Sequence, residues 1–253
     1  RFIDVAIPST LKGLRSHWEP AIEKGELEFD RVGHREFAEQ FAGIGIDKRL
    51  MALIGNPNPP RSEISAVKRQ FVSTPSGKLV SLVVNAVGKS AVQSDLVSIE
   101  LLDALRIVGD RSELEASREF VTLLPALSHS NDGVVVNAAS SFGSWQVSSA
   151  GPKLLELLRD RDRAPEIRRA AAIALGDLGQ TKYINALKSL ASVSDIATRY
   201  HAVTGLVAGD LEEAKAMVGE VLTQKPLDAD PVTLVTEFTK TRRGDTVLAE
   251  LLE

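Results

Sequence analysis

Cysteine is absent from the 253 residues, which excludes disulfides, thiolate metal ligands and thioether-linked haem within the chain. Aromatic residues are scarce at 5%, a thin supply for a β-sandwich core, whereas Leu, Ala and Val abound and suit closely packed helices. No apolar run reaches the length of about 18 residues that spans a bilayer, so no membrane insertion of this segment is expected. A basic excess is missing too. The net charge of -4 and pI near 5.7 deny the chain the positive field behind non-specific nucleic-acid affinity, and nucleic acid is not an expected partner. The chain starts at Arg1 with neither Met nor a signal-type apolar core, which reads as a fragment or processed product.

What the chain has is a recurring pattern. Five positions at offsets 0, 4, 7, 8 and 11 return four times: Val97/Leu101/Ala104/Leu105/Val108, Val134/Ala138/Ser141/Phe142/Trp145, Ile167/Ala171/Ala174/Leu175/Leu178 and Thr198/Ala202/Gly205/Leu206/Gly209. These offsets share one face of a 3.6-residue helix, so each set predicts a stripe buried against neighbours. The residue at offset 7 is always small, which predicts close approach of the adjacent helix, and a larger side chain there would overpack the contact. Starts lie 31 to 37 residues apart, the period of two helices per unit in stacked α-hairpins. The fold expected is all-α: a HEAT-like α-solenoid of six or seven antiparallel helix pairs.

Partner helices are expected over Ser112–Ser128, Gly151–Arg159, Thr181–Ser192 and Leu211–Gln224. Asp195, Asp210 and Asp230 stand as N-caps, Pro165 and Pro231 in first turns, and Gly109, Gly176 and Gly179 as helix closers. Residues 91–253 form the regular repeats, and residues 1–90 read as diverged repeats of the same single solenoid. Within the latter, one helix or two broken around Pro20 are expected over Thr10–Lys24, and further helices over Arg35–Phe41, Lys48–Ile54, Arg61–Val72 and Lys78–Val87, with Asn56–Pro60 as a loop. Arg1–Pro8 alternates like a short strand.

Chemistry-bearing motifs are incomplete. His17, His34, His129 and His201 are scattered without ligand spacing, so no metal is expected; His201 reads as a surface or groove residue. Gly88-Lys-Ser90 lacks the upstream phosphate-loop glycine, Val83 standing there, and Ala42–Ile46 lacks the third glycine of a dinucleotide fingerprint. No Gly-x-Ser-x-Gly elbow surrounds Ser140–Ser144. The pairs Glu212-Glu213 and Asp160/Asp162 fall at helix starts and turns. Trp145 occupies a packing slot, and Trp18 is a similar case. No catalytic or cofactor-binding residue is assigned.

Arg159, Arg161, Arg163, Arg168 and Arg169 cluster within eleven residues. They make a basic ridge for an acidic protein partner or phosphate, or else a solvated turn in which Asp160, Asp162 and Glu166 balance them. Arg168, Thr204 and Asn137 are further surface candidates on the repeated helices.

Glu166-Ile-Arg-Arg-Ala-Ala-Ala-Ile-Ala-Leu-Gly176 after Leu154–Leu158 resembles a HEAT repeat of the phycobilisome-lyase-like type. Trp18–Gly25, Leu27–Phe29, the middle units and Asp230–Phe238 with Arg242-Arg-Gly244 and Leu248 resemble the solenoid region of planctomycete-type multidomain membrane-bound dehydrogenase and c-type haem proteins. That resemblance implies an exported electron-transfer protein of which this chain is an internal, cofactor-free segment; without it, a cytoplasmic location is expected. No Cys-x-x-Cys-His is present, so haem ligation carries over to no residue.

The expected function is a non-catalytic scaffold or spacer that docks a protein or neighbouring domains of its own polypeptide. Two alternatives stay open. A HEAT-like lyase or nucleic-acid glycosylase needs an acid, an aromatic and basic residues converging from different repeats, and a polar pocket with a shifted carboxylate pKa favours it. A nucleic-acid-binding solenoid needs a continuous basic strip.

Overall fold

A computed structural model describes residues 45–193, 195–224, 231–241 and 244–252, with the isolated positions 20, 21, 24 and 26. The expected strand at Arg1–Pro8, the helix over Arg35–Phe41, nearly all of Thr10–Lys24, and His17, Trp18, His34, Asp230 and Arg242 lie outside the described residues.

Among the described residues there is no strand. The helices are α1 (Ile46–Ile54), α2 (Arg61–Ser73), α3 (Gly77–Gly88), α4 (Asp95–Arg111), α5 (Asp132–Ser144), α6 (Gly151–Arg159), α7 (Pro165–Asp177), α8 (Thr181–Ala191), α9 (Ile196–Gly209), α10 (Leu211–Thr223), α11 (Pro231–Lys240) and α12 (Gly244–Leu252). Local chemistry sets their ends. Asp195 accepts from the Thr198 amide at 3.0 Å and Asp210 from Glu213 at 3.4 Å, while Ser76 and Asn131 cap α3 and α5. Pro165 opens α7, and Gly179, at φ 61°, turns the chain after it.

Two expected elements differ. Residues 112–117 are not helical, and 118–128 wind as 3-10 turns around Pro125. Proline removes an amide donor and crowds the carbonyl four residues back, so an α-helix cannot continue. Phe120, Leu123 and Ala126 are nonetheless buried, because three residues per turn keep that spacing on one face, and Leu127 is buried beside it. Gly109 and Gly176 do not close helices; both sit inside them, where a neighbour leaves no room for a side chain.

α2, α4, α5, α7, α9 and α11 form one row, each packed on the next. Behind them lie α3, the 3-10 segment, α6, α8 and α10, and α12 closes on α10 and α11. The fold is an all-α solenoid of two layers. Every residue of the four five-point sets is buried except Gly209. Offset 7 makes the seam. Ser141 donates to the Leu102 carbonyl of α4 at 2.8 Å, Ala174 lies against Gly143 of α5, and Gly205 lies against Ala172 and Gly176 of α7. The seam recurs a fifth time, unread in the sequence: the Thr241 hydroxyl lies between Val207 O at 3.2 Å and Glu237 O and shares its one proton between them, as the Ser141 hydroxyl does between Leu102 O and Asn137 O. Trp145 is 5% exposed, its indole N–H on Leu105 O at 2.8 Å and its ring tilted against Phe120.

A Cβ at Gly205 would lie 2.8 Å from the Ala172 carbonyl carbon, a backbone atom that cannot step aside, whereas Gly219 on the exposed face of α10 has open space around it. Gly205→Ala is therefore expected to lower stability by about 1–3 kcal/mol by overpacking, and Gly219→Ala to raise it by about 0.5–1 kcal/mol through helix propensity. Chemical denaturation of both variants checks the pair. Shifts of the same sign would sink the close-approach account.

Candidate functional site

The five arginines singled out in the sequence do not converge on one point. Arg159 is exposed at the end of α6, Arg161 is 3.7 Å from Asp195 and Arg163 is 3.6 Å from Asp160. Arg168 is 5% exposed: its Nε donates to Leu158 O at 3.1 Å and its guanidinium to Thr198, 3.6 Å from Asp195. It ties the α6–α7 turn to α9 and offers nothing to a partner. The bond from Thr198 holds the Asp195 carboxyl below the usual carboxylate range against the opposing effect of burial, with Arg161 and Arg168 adding to the lowering. Arg169 is partly buried. Arg159 borders an open depression with Pro152, Leu155, Glu156 and Asp160.

Other expectations resolve into packing. His201 is 5% exposed, not a surface residue, because α9 is enclosed by α6, α7, α8, α10 and α11. Thr204 is fully buried for the same reason, and Asn137 turns back onto Gly133 O at 2.8 Å. His129 Nδ1 accepts from the Asn131 amide at 3.0 Å. Gly88 packs on the Thr122 backbone and ends α3. Gly45, at φ 70°, leads into α1. Glu213 and Asp210 both hold Lys188, at 3.0 and 3.1 Å.

The opposite end of α7 carries the site. A groove of about 700 Å³ is lined by Arg106 and Asp110 of α4, Ser140 and Ser144 of α5, Ile173 and Asp177 of α7, Ala208 of α9, Glu237 and Lys240 of α11, and Thr241. It crosses five consecutive helices of the row, each near its C-terminal end. Its cations are engaged within the chain. Arg106 reaches Asp103 at 2.8 Å and Asp110 at 3.0 Å, and Lys240 reaches Glu237 at 2.6 Å. Asp103 is shared with Lys68 at 2.6 Å; burial works against its ionised form, but the bonds from Lys68 and Arg106 prevail and lower its pKa.

Asp177 stands apart. It has no hydrogen bond or ion pair among the described residues, and its carboxylate lies over Gly143, where a Cβ would come within 2.8 Å of Oδ2. Burial, with the charges of Glu237 and Asp110 adding to it and Lys240 opposing, raises its pKa to about 7. The groove positions were legible but unread: in α5 and α7 they are offsets 6 and 10, beside the seam at offset 7, and those columns read Ser140/Ser144 and Ile173/Asp177.

Residues 120–207 match the family model for HEAT repeats. This is the stretch from the 3-10 segment through α9, so the central repeats are a HEAT-repeat region. No curated protein matches the chain.

A carboxyl whose folded pKa is raised favours the fold least when ionised. The penalty is absent below the unfolded value near 3.8, grows as pH rises and is complete above about 7. Asp177→Asn is therefore expected to stabilise the protein by about 1–4 kcal/mol at pH 8.5, less than full linkage because the carboxylate reaches solvent. The gain should vanish near pH 4. Paired melts at the two pH values test this, and a difference independent of pH would contradict it.

Proposed function

We propose that this chain is a non-catalytic scaffold that docks a protein, or a neighbouring domain of its own polypeptide, in the groove along the C-terminal ends of α4, α5, α7, α9 and α11. The observation that carries this reading is that one continuous groove draws its lining from five stacked row helices. A solenoid builds such extended surfaces by repeating one contact. The exposed Arg159 and Arg161, with the half-buried Arg163, at the other end of α7 form a second contact surface in this proposal. The resemblance of 18–29 and 230–248 to the solenoid region of exported electron-transfer proteins supplies its setting. A Cys-x-x-Cys-His downstream in the full reading frame would support that setting, and stop and start codons directly flanking the chain would remove it.

One observation favours a second reading. Asp177, with a pKa near neutrality in a polar groove, has the poise of a general acid–base group, and basic residues reach the groove from other repeats. The scaffold reading is preferred because no aromatic side chain lines the groove and the Ser140 hydroxyl on its α5 side is bonded to Val136 O at 3.0 Å. Nucleic acid is disfavoured, since three carboxylates face two cations there.

A benzophenone group placed at Ser140 or Ser144 is expected to crosslink one protein in the source cells, competed by the unmodified chain and not by an Ile173→Arg variant. The same group at exposed Lys78 serves as the control. No groove adduct above that control would turn the assignment toward the catalytic reading.

A further inference from the structure

We propose that the groove receives an extended segment of a partner protein bearing arginine or lysine, with Asp177 as the carboxylate that pairs with the incoming cation. This rests on the docking reading above and specifies its occupant. Four features point to a cation. Arg106 and Lys240 are already held by Asp103, Asp110 and Glu237, while Asp177 has no hydrogen bond or ion pair among the described residues. The groove runs past the C-terminal ends of five row helices, and each such end carries roughly half a negative charge from its unsatisfied carbonyls. Gly143 leaves the space that Asp177 occupies, since any side chain there would displace the carboxylate. Lastly, Ile173 and Ala208 supply an apolar floor suited to the aliphatic stem of Arg or Lys.

The shape selects a peptide over an ion or a small amine. Among the described residues no group of three carboxylates or histidines is placed to hold a metal ion. The lining is drawn from five helices, a reach that an extended chain of several residues fills and a single ion or small amine does not. An incoming cation would also relieve the repulsion that Glu237 and Asp110 exert on Asp177.

Calorimetric titration at pH 8 and low salt tests the proposal with an eleven-residue Gly/Ser peptide carrying three arginines and with its citrulline counterpart, which keeps the shape and loses the charge. The arginine peptide is expected to bind about 10-fold more tightly than the citrulline peptide. Asp177→Asn should weaken it about 5-fold. Lys240→Gln, which removes a competing cation, should tighten it about 3-fold, a gain that misfolding would not produce. Equal affinity for the two peptides overturns the proposal, as does unchanged binding by Asp177→Asn with a native circular dichroism spectrum. Spermidine displacing the peptide at equal concentration would assign the groove to small polycations and equally overturn it. Crosslinking of a protein from Ser140 without any arginine preference would leave the docking reading standing and remove this one.

Discussion

Everything in this solenoid depends on how closely one row helix can approach the next. At four of the row's five junctions the close contact is made by a small residue: Ser141 against α4, Ala174 against Gly143, Gly205 against Ala172 and Gly176, Thr241 against α9. Close approach brings larger flanking residues such as Leu105, Phe142, Leu175 and Leu206 into full burial, where each contributes about 1.5–3 kcal/mol of apolar transfer. Ser141 and Thr241 add a second element. The single hydroxyl proton of each is shared between a carbonyl of the preceding row helix and one of its own, linking the register of the two helices along their axes.

Register is what connects packing to the site. Because successive row helices are held side by side, their last turns fall in line, and the residues next to the seam face a common groove. Asp177 shows the coupling directly. Gly143 admits Ala174 of the seam on one side and the Asp177 carboxylate on the other. One glycine thus sets both the helix spacing and the position of the unpaired charge.

The repeated stripe was legible in the sequence because burial against two neighbours demands a fixed period, and nearly every position it named is buried. Caps were legible at Asp195 and Asp210, where side-chain chemistry acts within three residues. Glycine was misread at 109 and 176 because a helix closer and a close-approach site call for the same residue. Only the Trp145 ring, 2.8 Å from an added Cβ at Gly109, and the Gly205 carbonyl beside Gly176 decide between them. Arg168 and His201 were misplaced for a related reason. The pattern says which face turns toward a neighbour in the row, but not how much of the opposite face the second layer covers. The groove stayed unread because its lining comes from turns scattered across 106–241, and only the two columns beside the seam hinted at it.

Asp177 is the residue the stack does not require. The same column carries Ser144 in α5 and Ala208 in α9, and both helices end in the same register without a charge. A carboxylate at this point costs the fold free energy at neutral pH, because desolvation and the nearby Glu237 and Asp110 oppose its ionisation and no described cation pairs with it. In contrast, Asp103, also partly buried, is matched by Lys68 and Arg106. Where the chain needs a buried carboxylate for its own cohesion it supplies the cations; at Asp177 it supplies a cavity. In the docking proposal a partner's cation fills that space and offsets the cost.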